Sequence, residues 1–411
     1  MRQVFLLFLM MTVLSGCSVV NSLRMIYAND DVTPILPEGQ EQTFQQSVEA
    51  FYIGEKPYIQ VLVNGDTSLL FLIDTGASFT MLFDTDKTAG LTLNKGFPLE
   101  LRGWGDERNT PAFQTQLQSL AIGDAIFNEV NVGYIPISTS QYYLVPEEAI
   151  FDGVIGHDLL RHFNWMFDKQ EAKITLSRKS YATQLGDVQI PIEPFFSKIT
   201  MPVSMRINGK VYEQEVYVDT GSRHYFKFNT AFVKNNDIEL PTPQIEASDF
   251  GLSGEAKYVR IRLPSLMLGE MTLDGIKANV IEAEDEDDFS VVGSALMNQF
   301  VTIIDYQSNI ITFRAYPDYT FKTQFNLAGL DLRKLQNGNL LVRFVFPQLP
   351  AAREGIEAGS EITSINGISS HTISEQDWLS MATIPGTFEF CFVSGSCKVI
   401  NTAAIAGYSI P

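Results

Sequence analysis

The stretch Phe71-Leu72-Ile73-Asp74-Thr75-Gly76-Ala77-Ser78 decides the reading of this chain. An apolar run of strand length ends on a carboxylate followed by Thr-Gly, with Gly76 suited to a tight turn. The pattern returns at Val216-Tyr217-Val218-Asp219-Thr220-Gly221-Ser222, and its surroundings return with it. Asp152-Gly153-Val154-Ile155-Gly156 lies downstream of the first copy, and Ser290-Val291-Val292-Gly293 lies downstream of the second. Phe163-Asn164-Trp165-Met166-Phe167-Asp168 and Phe300-Val301-Thr302-Ile303-Ile304-Asp305 follow, each leading into a further apolar run. Strand, carboxylate turn, later strand, glycine and terminal hairpin thus occur twice in one order, the mark of an internal duplication.

On these residues the chain resembles two-lobed aspartic peptidases of the pepsin/retropepsin kind, over roughly residues 45 to 317. The chemistry gives its own reason for pairing the loops. Hydrolysing a peptide without a metal or a covalent nucleophile needs a base to activate water and an acid to protonate the substrate. Two carboxylates held face to face cannot both ionise cheaply, so they share one proton and supply both roles. Asp74 and Asp219 are the candidate pair, and Gly76 and Gly221 let backbone N–H groups approach them. The resemblance implies that Thr75 and Thr220 cross-brace the loops and that Ser222 can hydrogen-bond its carboxylate. Arg223, just beyond, either lowers the dyad's pKa or faces solvent. Glycines bracket an aromatic at Arg102-Gly103-Trp104-Gly105-Asp106-Glu107 and at Asp249-Phe250-Gly251-Leu252-Ser253-Gly254. These fit mobile hairpins closing over a bound peptide, with Trp104, Gly105, Phe250 and Gly251 as covering residues, or else ordinary hairpins plugged by an aromatic.

The chain begins with Met1-Arg2-Gln3, an apolar run from Val4 to Met11, and Leu14-Ser15-Gly16-Cys17. This reads as a secretory signal too short to span a bilayer. It resembles the bacterial lipoprotein signal, which implies acylation of Cys17, and Ser18 after it implies the outer membrane. No other segment has the unbroken apolar length of a membrane helix. The other two of the three cysteines, Cys391 and Cys397, flank a plausible hairpin turn and are either bridged or free thiols.

Beyond Tyr316-Pro317 the pattern changes. Leu349-Pro350-Ala351-Ala352, Gly355-Ile356, Ala358-Gly359 and Ile365-Asn366-Gly367 resemble a bacterial PDZ domain, with Ser360 where Asp is usual. PDZ domains add an extended peptide to a sheet edge and hold its terminal carboxylate in a backbone nest. The resemblance places that nest at Gly329, Leu330, Asp331 and Leu332.

A formal net charge of −19 over 411 residues argues against nucleic acid or anionic lipid as a partner and leans towards basic substrates. The acidic run from Glu282 to Asp288 reads as a solvated loop. The four histidines show no metal spacing, and neither a serine-hydrolase signature nor a phosphate-binding glycine loop occurs. No metal and no cofactor is therefore expected.

The expected fold is all-β: a bilobal pepsin-like body of two duplicated retropepsin-like lobes, followed by a β-rich PDZ domain with short helices. The divisions are a signal peptide over 1–16, a tether over 17–45, lobes over 46–185 and 186–318, and the PDZ domain over 319–411. The expected function is an aspartic endopeptidase, lipid-anchored in the bacterial envelope on the periplasmic face, with the PDZ domain recruiting or gating a peptide or protein substrate. The alternative is a non-catalytic peptide-binding lipoprotein. The duplication makes a monomer sufficient for the dyad.

Overall fold

The computed structural model describes residues 19–105, 110–136, 151–283 and 290–405. The signal over 1–16, Cys17, Asp106 and Glu107, and Glu284 to Asp288 of the acidic run lie outside the described residues.

Each lobe is a sheet curled until it closes on itself. In the N-terminal lobe the order runs Lys56–Val63, Thr67–Ile73, Gly153–Ile155, Met81–Phe83, Ala125–Ile135, Thr110–Ile122, Pro98–Leu101, and Lys56–Val63 pairs back onto Thr110–Ile122. The C-terminal lobe repeats it: Lys198–Ile207, Lys210–Asp219, Val291–Gly293, Phe226–Asn229, Met271–Ile281, Gly254–Leu268, Ile245–Gly251, with Lys198–Ile207 closing onto Gly254–Leu268. Alternation gives each curled sheet an apolar inner face. Leu69, Phe71 and Ile73 all turn into the core, as do Val216 and Val218 in the second copy. The strand carrying each Asp pairs in parallel with the downstream strand, Ile73 opposite Ile155 and Val218 opposite Val292. Buried on both sides, those short partners read as continuous apolar runs.

A shared sheet joins the lobes. Its order is Gln45–Ile53, Lys173–Ser177, Asn164–Asp168, Phe300–Asp305, Ile310–Ala315, Val188–Pro191, three strands from each half. The halves meet where Met166 faces Ile303, and Trp165 and Phe300 are buried beneath. The expected fold class holds: two β lobes and a β-rich C-terminal domain.

Residues 19–44 are not a free tether. A helix over 19–26 and the turns after it lie against the N-terminal lobe, with Met25 and Phe44 fully buried and Ile35 bridged to Ile126. Asn29 donates to the buried Asp158 carboxylate at 2.6 Å and to the Asn131 carbonyl at 2.8 Å. Isolated apolar residues in a polar stretch give no periodicity, yet each finds a socket in the lobe.

The C-terminal domain has its own sheet, ordered Leu330–Lys334, Leu340–Val345, Glu361–Ile365, Gly386–Phe392, Cys397–Thr402, with Ile368–Ser369 on the side. The helix Glu375–Met381 starts at a reciprocal Ser374–Asp377 cap and sends Trp378 into the core. The Cys391 and Cys397 sulfurs are bonded across the last hairpin. Phe325, Leu327, Phe346 and Leu349 of this domain pack against Ile245, Ala247, Tyr258 and Ile281, docking it on the outer hairpin of the C-terminal lobe.

Candidate active site

The two Asp-Thr-Gly loops meet between the lobes and interlock. The Thr75 hydroxyl donates to the Val218 carbonyl at 2.7 Å and accepts from the Thr220 amide at 3.0 Å. The Thr220 hydroxyl does the converse, donating to the Ile73 carbonyl at 2.7 Å and accepting from the Thr75 amide at 3.1 Å. A side chain at Gly76 would lie 2.7 Å from the Asp219 carboxyl carbon, and one at Gly221 would strike Asp74. Only glycine lets the loops approach this closely.

The carboxyls of Asp74 and Asp219 lie beside one another, and the Gly76 amide donates to Asp74 at 2.8 Å. Burial, with Asp219 beside it, pushes Asp74 up to about 7, while Lys56 and the Gly76 amide pull it down. That is the electrostatic condition for a pair holding one proton at neutral pH.

Two lysines in the site belong to no motif. Lys56 begins the strand Lys56–Val63 and feels both Asp74 and Asp219; burial lowers its own pKa. Lys227 lies in Phe226–Asn229, is 3% exposed, and has its Nζ 3.8 Å from the centre of the Trp104 ring. Among the described residues that ammonium makes neither a hydrogen bond nor an ion pair within 4 Å. Asp219 and Asp249 favour its charge, and burial opposes it.

Two expectations are corrected here. The Ser222 hydroxyl has no hydrogen-bond partner among the described residues, so it does not hold Asp219; its carbonyl instead accepts from the Ser294 hydroxyl at 2.8 Å. Arg223 neither faces solvent nor is the main cation on Asp74. It turns to Asp331 at 3.2 Å and Asp249 at 3.8 Å, and Lys56 takes the role beside the dyad.

The glycine-bracketed hairpins come from opposite lobes and touch. The Gly103 amide donates to the Ser253 hydroxyl at 3.0 Å, and the Ser253 amide to the Trp104 carbonyl at 2.9 Å. A side chain at Gly105 would enter the Ser253–Gly254 backbone, and one at Gly251 would meet Trp104. Trp104 and Phe250 both line the cleft, which encloses about 590 Å³. The Trp104 indole N–H donates to Asp249 Oδ1, and His224 Nε2 lies 2.8 Å from Oδ2 of the same carboxylate.

The network behind this contact fixes the histidine's protons. Arg260 Nε donates to Asn279 Oδ1 at 3.1 Å, which turns the amide NH₂ towards His224 Nδ1, 2.5 Å away. Nδ1 must therefore accept, and Nε2–H donates to Asp249: the imidazole is neutral. Burial agrees, pushing His224 down to about 4. Burial would raise Asp249, yet His224, Arg223 and the Trp104 N–H hold it below the usual carboxylate range.

The expected nest at Gly329, Leu330, Asp331 and Leu332 is not an open carboxylate socket. Leu330, Asp331 and Leu332 are buried, and the Gly329 amide donates to Asn326 at 2.9 Å. The Leu330 carbonyl on the sheet's outer edge accepts from the Trp378 indole at 3.2 Å and from Asn326 at 2.7 Å. The Lys334 amide further along that edge donates to Glu375 at 3.0 Å. Asp331 is held by Arg223 and, at 2.9 Å, by Arg343, whose guanidinium lies over the Phe250 ring. Arg333, Arg343 and Glu375 of the C-terminal domain thereby line the same cleft as the dyad. Sequence could not have placed them there, because they reach it only through docking.

No helix among the described residues is long and apolar enough to cross a membrane. A comparison with curated proteins returned no match. Residues 59–159, which carry the first Asp-Thr-Gly loop, its hairpin and the downstream glycine, match a family model described as aspartyl protease, so the N-terminal lobe contains a domain of the aspartyl protease kind.

Proposed function

We propose that the protein is an aspartic endopeptidase in which Asp74 and Asp219 share one proton and activate water. The observation that carries this reading is the reciprocal brace between Thr75 and Thr220, which sets the two carboxyls against each other in a buried cleft. The ionised member takes a proton from water as the oxygen attacks the scissile carbonyl carbon. The protonated member gives its proton to the carbonyl oxygen, and collapse of the tetrahedral adduct returns a proton to the leaving nitrogen. The neutral His224 and the flap contact through Trp104 keep water out while the peptide is held.

The same reading places the protein on the periplasmic face of the outer membrane through acylated Cys17, with the Cys391–Cys397 bridge fitting an oxidising compartment. It takes the C-terminal domain as a PDZ unit that gates the cleft through Arg343 and Asp331 rather than capturing chain termini at Gly329–Leu332. Cleavage of an unbiased peptide library between pH 3 and 8 tests the enzyme. Activity should vanish in both Asp74→Asn and Asp219→Asn. Tight binding without cleavage in wild type and variants alike would make the protein a peptide-binding lipoprotein instead. Cys17→Ser should move the protein from the membrane to the soluble fraction.

A further inference from the structure

The two lobes carry matching positions around the dyad, and one of them is chemically opposite in the two halves. Ile73 faces Ile155 and Val218 faces Val292, so Val154 and Val291 correspond. Met81 sits opposite Val154 and Lys227 opposite Val291. Where the N-terminal lobe offers Met81 to the cleft, the C-terminal lobe therefore offers Lys227. Around Met81 the wall is apolar, with Leu72, Phe83, Phe151 and Val154 packed together. Around Lys227 the wall is mixed: Val291 and the Trp104 ring are joined by Tyr217, Ser222 and His224, and Lys198 lies close enough to depress Lys227.

Lys227 is 97% buried, unpaired among the described residues, and has the face of the Trp104 indole over its ammonium. An ammonium in that setting has no carboxylate in direct contact, and Asp219 and Asp249 compensate its burial only from beyond 4 Å. The electron-rich indole stands where a carboxylate would lie, as a weaker substitute. Lys227 nonetheless lines the cleft, on the wall that carries Tyr217 and Val291. The cleft thus contrasts with the chain as a whole. The protein carries a net charge of −19, yet seven cationic side chains, Lys227 and Lys198 among them, line this cleft against five carboxylates, two of which are the dyad.

We propose that the C-terminal-lobe subsite takes an acidic substrate side chain, whose carboxylate pairs with Lys227, while the N-terminal-lobe subsite takes a large apolar one. This rests on the endopeptidase reading and names its substrate class: peptides with an acidic and a large apolar residue flanking the scissile bond. It reverses the preference for basic substrates that net charge alone suggests.

The test uses the full chain and matched peptides that differ only at the two flanking positions: Phe–Glu, Glu–Phe, Phe–Gln, Gln–Phe and Phe–Leu. In parallel, equilibrium binding of their reduced-amide forms is measured. Wild type should favour Glu over Gln at one flank by about 30-fold or more in kcat/KM, the scale for a desolvated charge pair. Lys227→Met, which copies the residue already accommodated at position 81, should reduce that ratio to about threefold or less and raise turnover of Phe–Leu. Lys227→Arg should keep the Glu preference.

Three results overturn the proposal: no Glu preference in wild type, a Glu preference that survives Lys227→Met, or an equal loss on every peptide in that variant. The last would mean that Lys227 acts on the dyad and not on the substrate. If wild type cleaves nothing, the endopeptidase reading fails separately. The binding data then decide the subsite, Lys227-dependent Glu selectivity supporting it and its absence overturning it.

Discussion

Lys56 stands where it acts on both members of the dyad, and its charge is among the forces restraining the rise of Asp74. Removing that charge lets the pair keep its proton to higher pH. Lys56→Met should therefore move the alkaline limb of the kcat/KM–pH profile upward from about 7 by about one unit, with little change on the acid side; an unmoved limb would refute the assignment. Asp74 also carries a stability consequence of definite sign. Its folded pKa of about 7 lies above the ordinary 3.8, so the folded state holds a proton that the unfolded state releases. Stability is thus lost as pH rises from about 4 towards 7. Asp74→Asn, inactive, should be more stable than wild type at pH 7.5, by up to about 4 kcal/mol, and equal to it near pH 4. Chemical denaturation at the two pH values checks this. The carboxylates were legible because each closes an apolar run and is followed by Thr-Gly. Lys56 and Lys227 were not, because each sits in an otherwise ordinary strand and only pairing turns it to the cleft.

At the scale of elements, the strand-loop-strand repeat was readable from order and spacing alone, and the closed lobes and shared sheet follow from it. The brace between the loops is where that duplication becomes one site. Each threonine hydroxyl both donates and accepts across the lobes, so Thr75→Ala removes two bonds and leaves the Val218 carbonyl and the Thr220 amide unsatisfied. We expect a loss of about 2 to 4 kcal/mol for Thr75→Ala or Thr220→Ala. The double variant should cost less than the sum, since both act on one interlock; additivity in a double-mutant cycle would show the loops to be independent. Contacts between hairpin tips were not readable. Trp104 and Asp249 lie 145 positions apart, and nothing in either segment announces the other. The docking of residues 19–44 is hidden in the sequence for a related reason, since Met25, Asn29 and Phe44 are anchors too sparse to form a pattern. Trp104→Phe keeps the ring over Lys227 and deletes the N–H that reaches Asp249. It should loosen the joined tips, seen as faster hydrogen exchange at the Gly103 and Ser253 amides than in wild type.

Across the whole molecule, two unlike contacts stand out among those that dock the C-terminal domain. One is the apolar patch between Phe325, Leu327, Phe346 and Leu349 and the outer hairpin of the C-terminal lobe. The other is Asp331, set between Arg223 of the lobe and Arg343 of its own domain, with Asp331 and Arg343 side chains about 10% exposed or less. A buried carboxylate between two guanidiniums adds little by itself, but its removal strands Arg343 and leaves Arg223 only the longer contact to Asp249, and breaking such an arrangement costs about 3 kcal/mol. Asp331→Asn keeps the shape and deletes the charge. The linking segment reports on docking, because it is strapped to the lobe where the Tyr225 hydroxyl donates to the Lys322 carbonyl at 3.3 Å, and Lys322 itself is exposed. Undocking should release that strap and speed trypsin cleavage at Lys322 by about 100-fold, the population change that 3 kcal/mol implies. Arg343 would at the same time leave the Phe250 ring, freeing the second hairpin. If the docked domain restricts the cleft, small peptides should turn over faster in Asp331→Asn than in wild type while the dyad's pH profile stays in place. Unchanged cleavage at Lys322 would mean that the domain stays docked without the charged contact, which then serves only to position Arg223 beside the site.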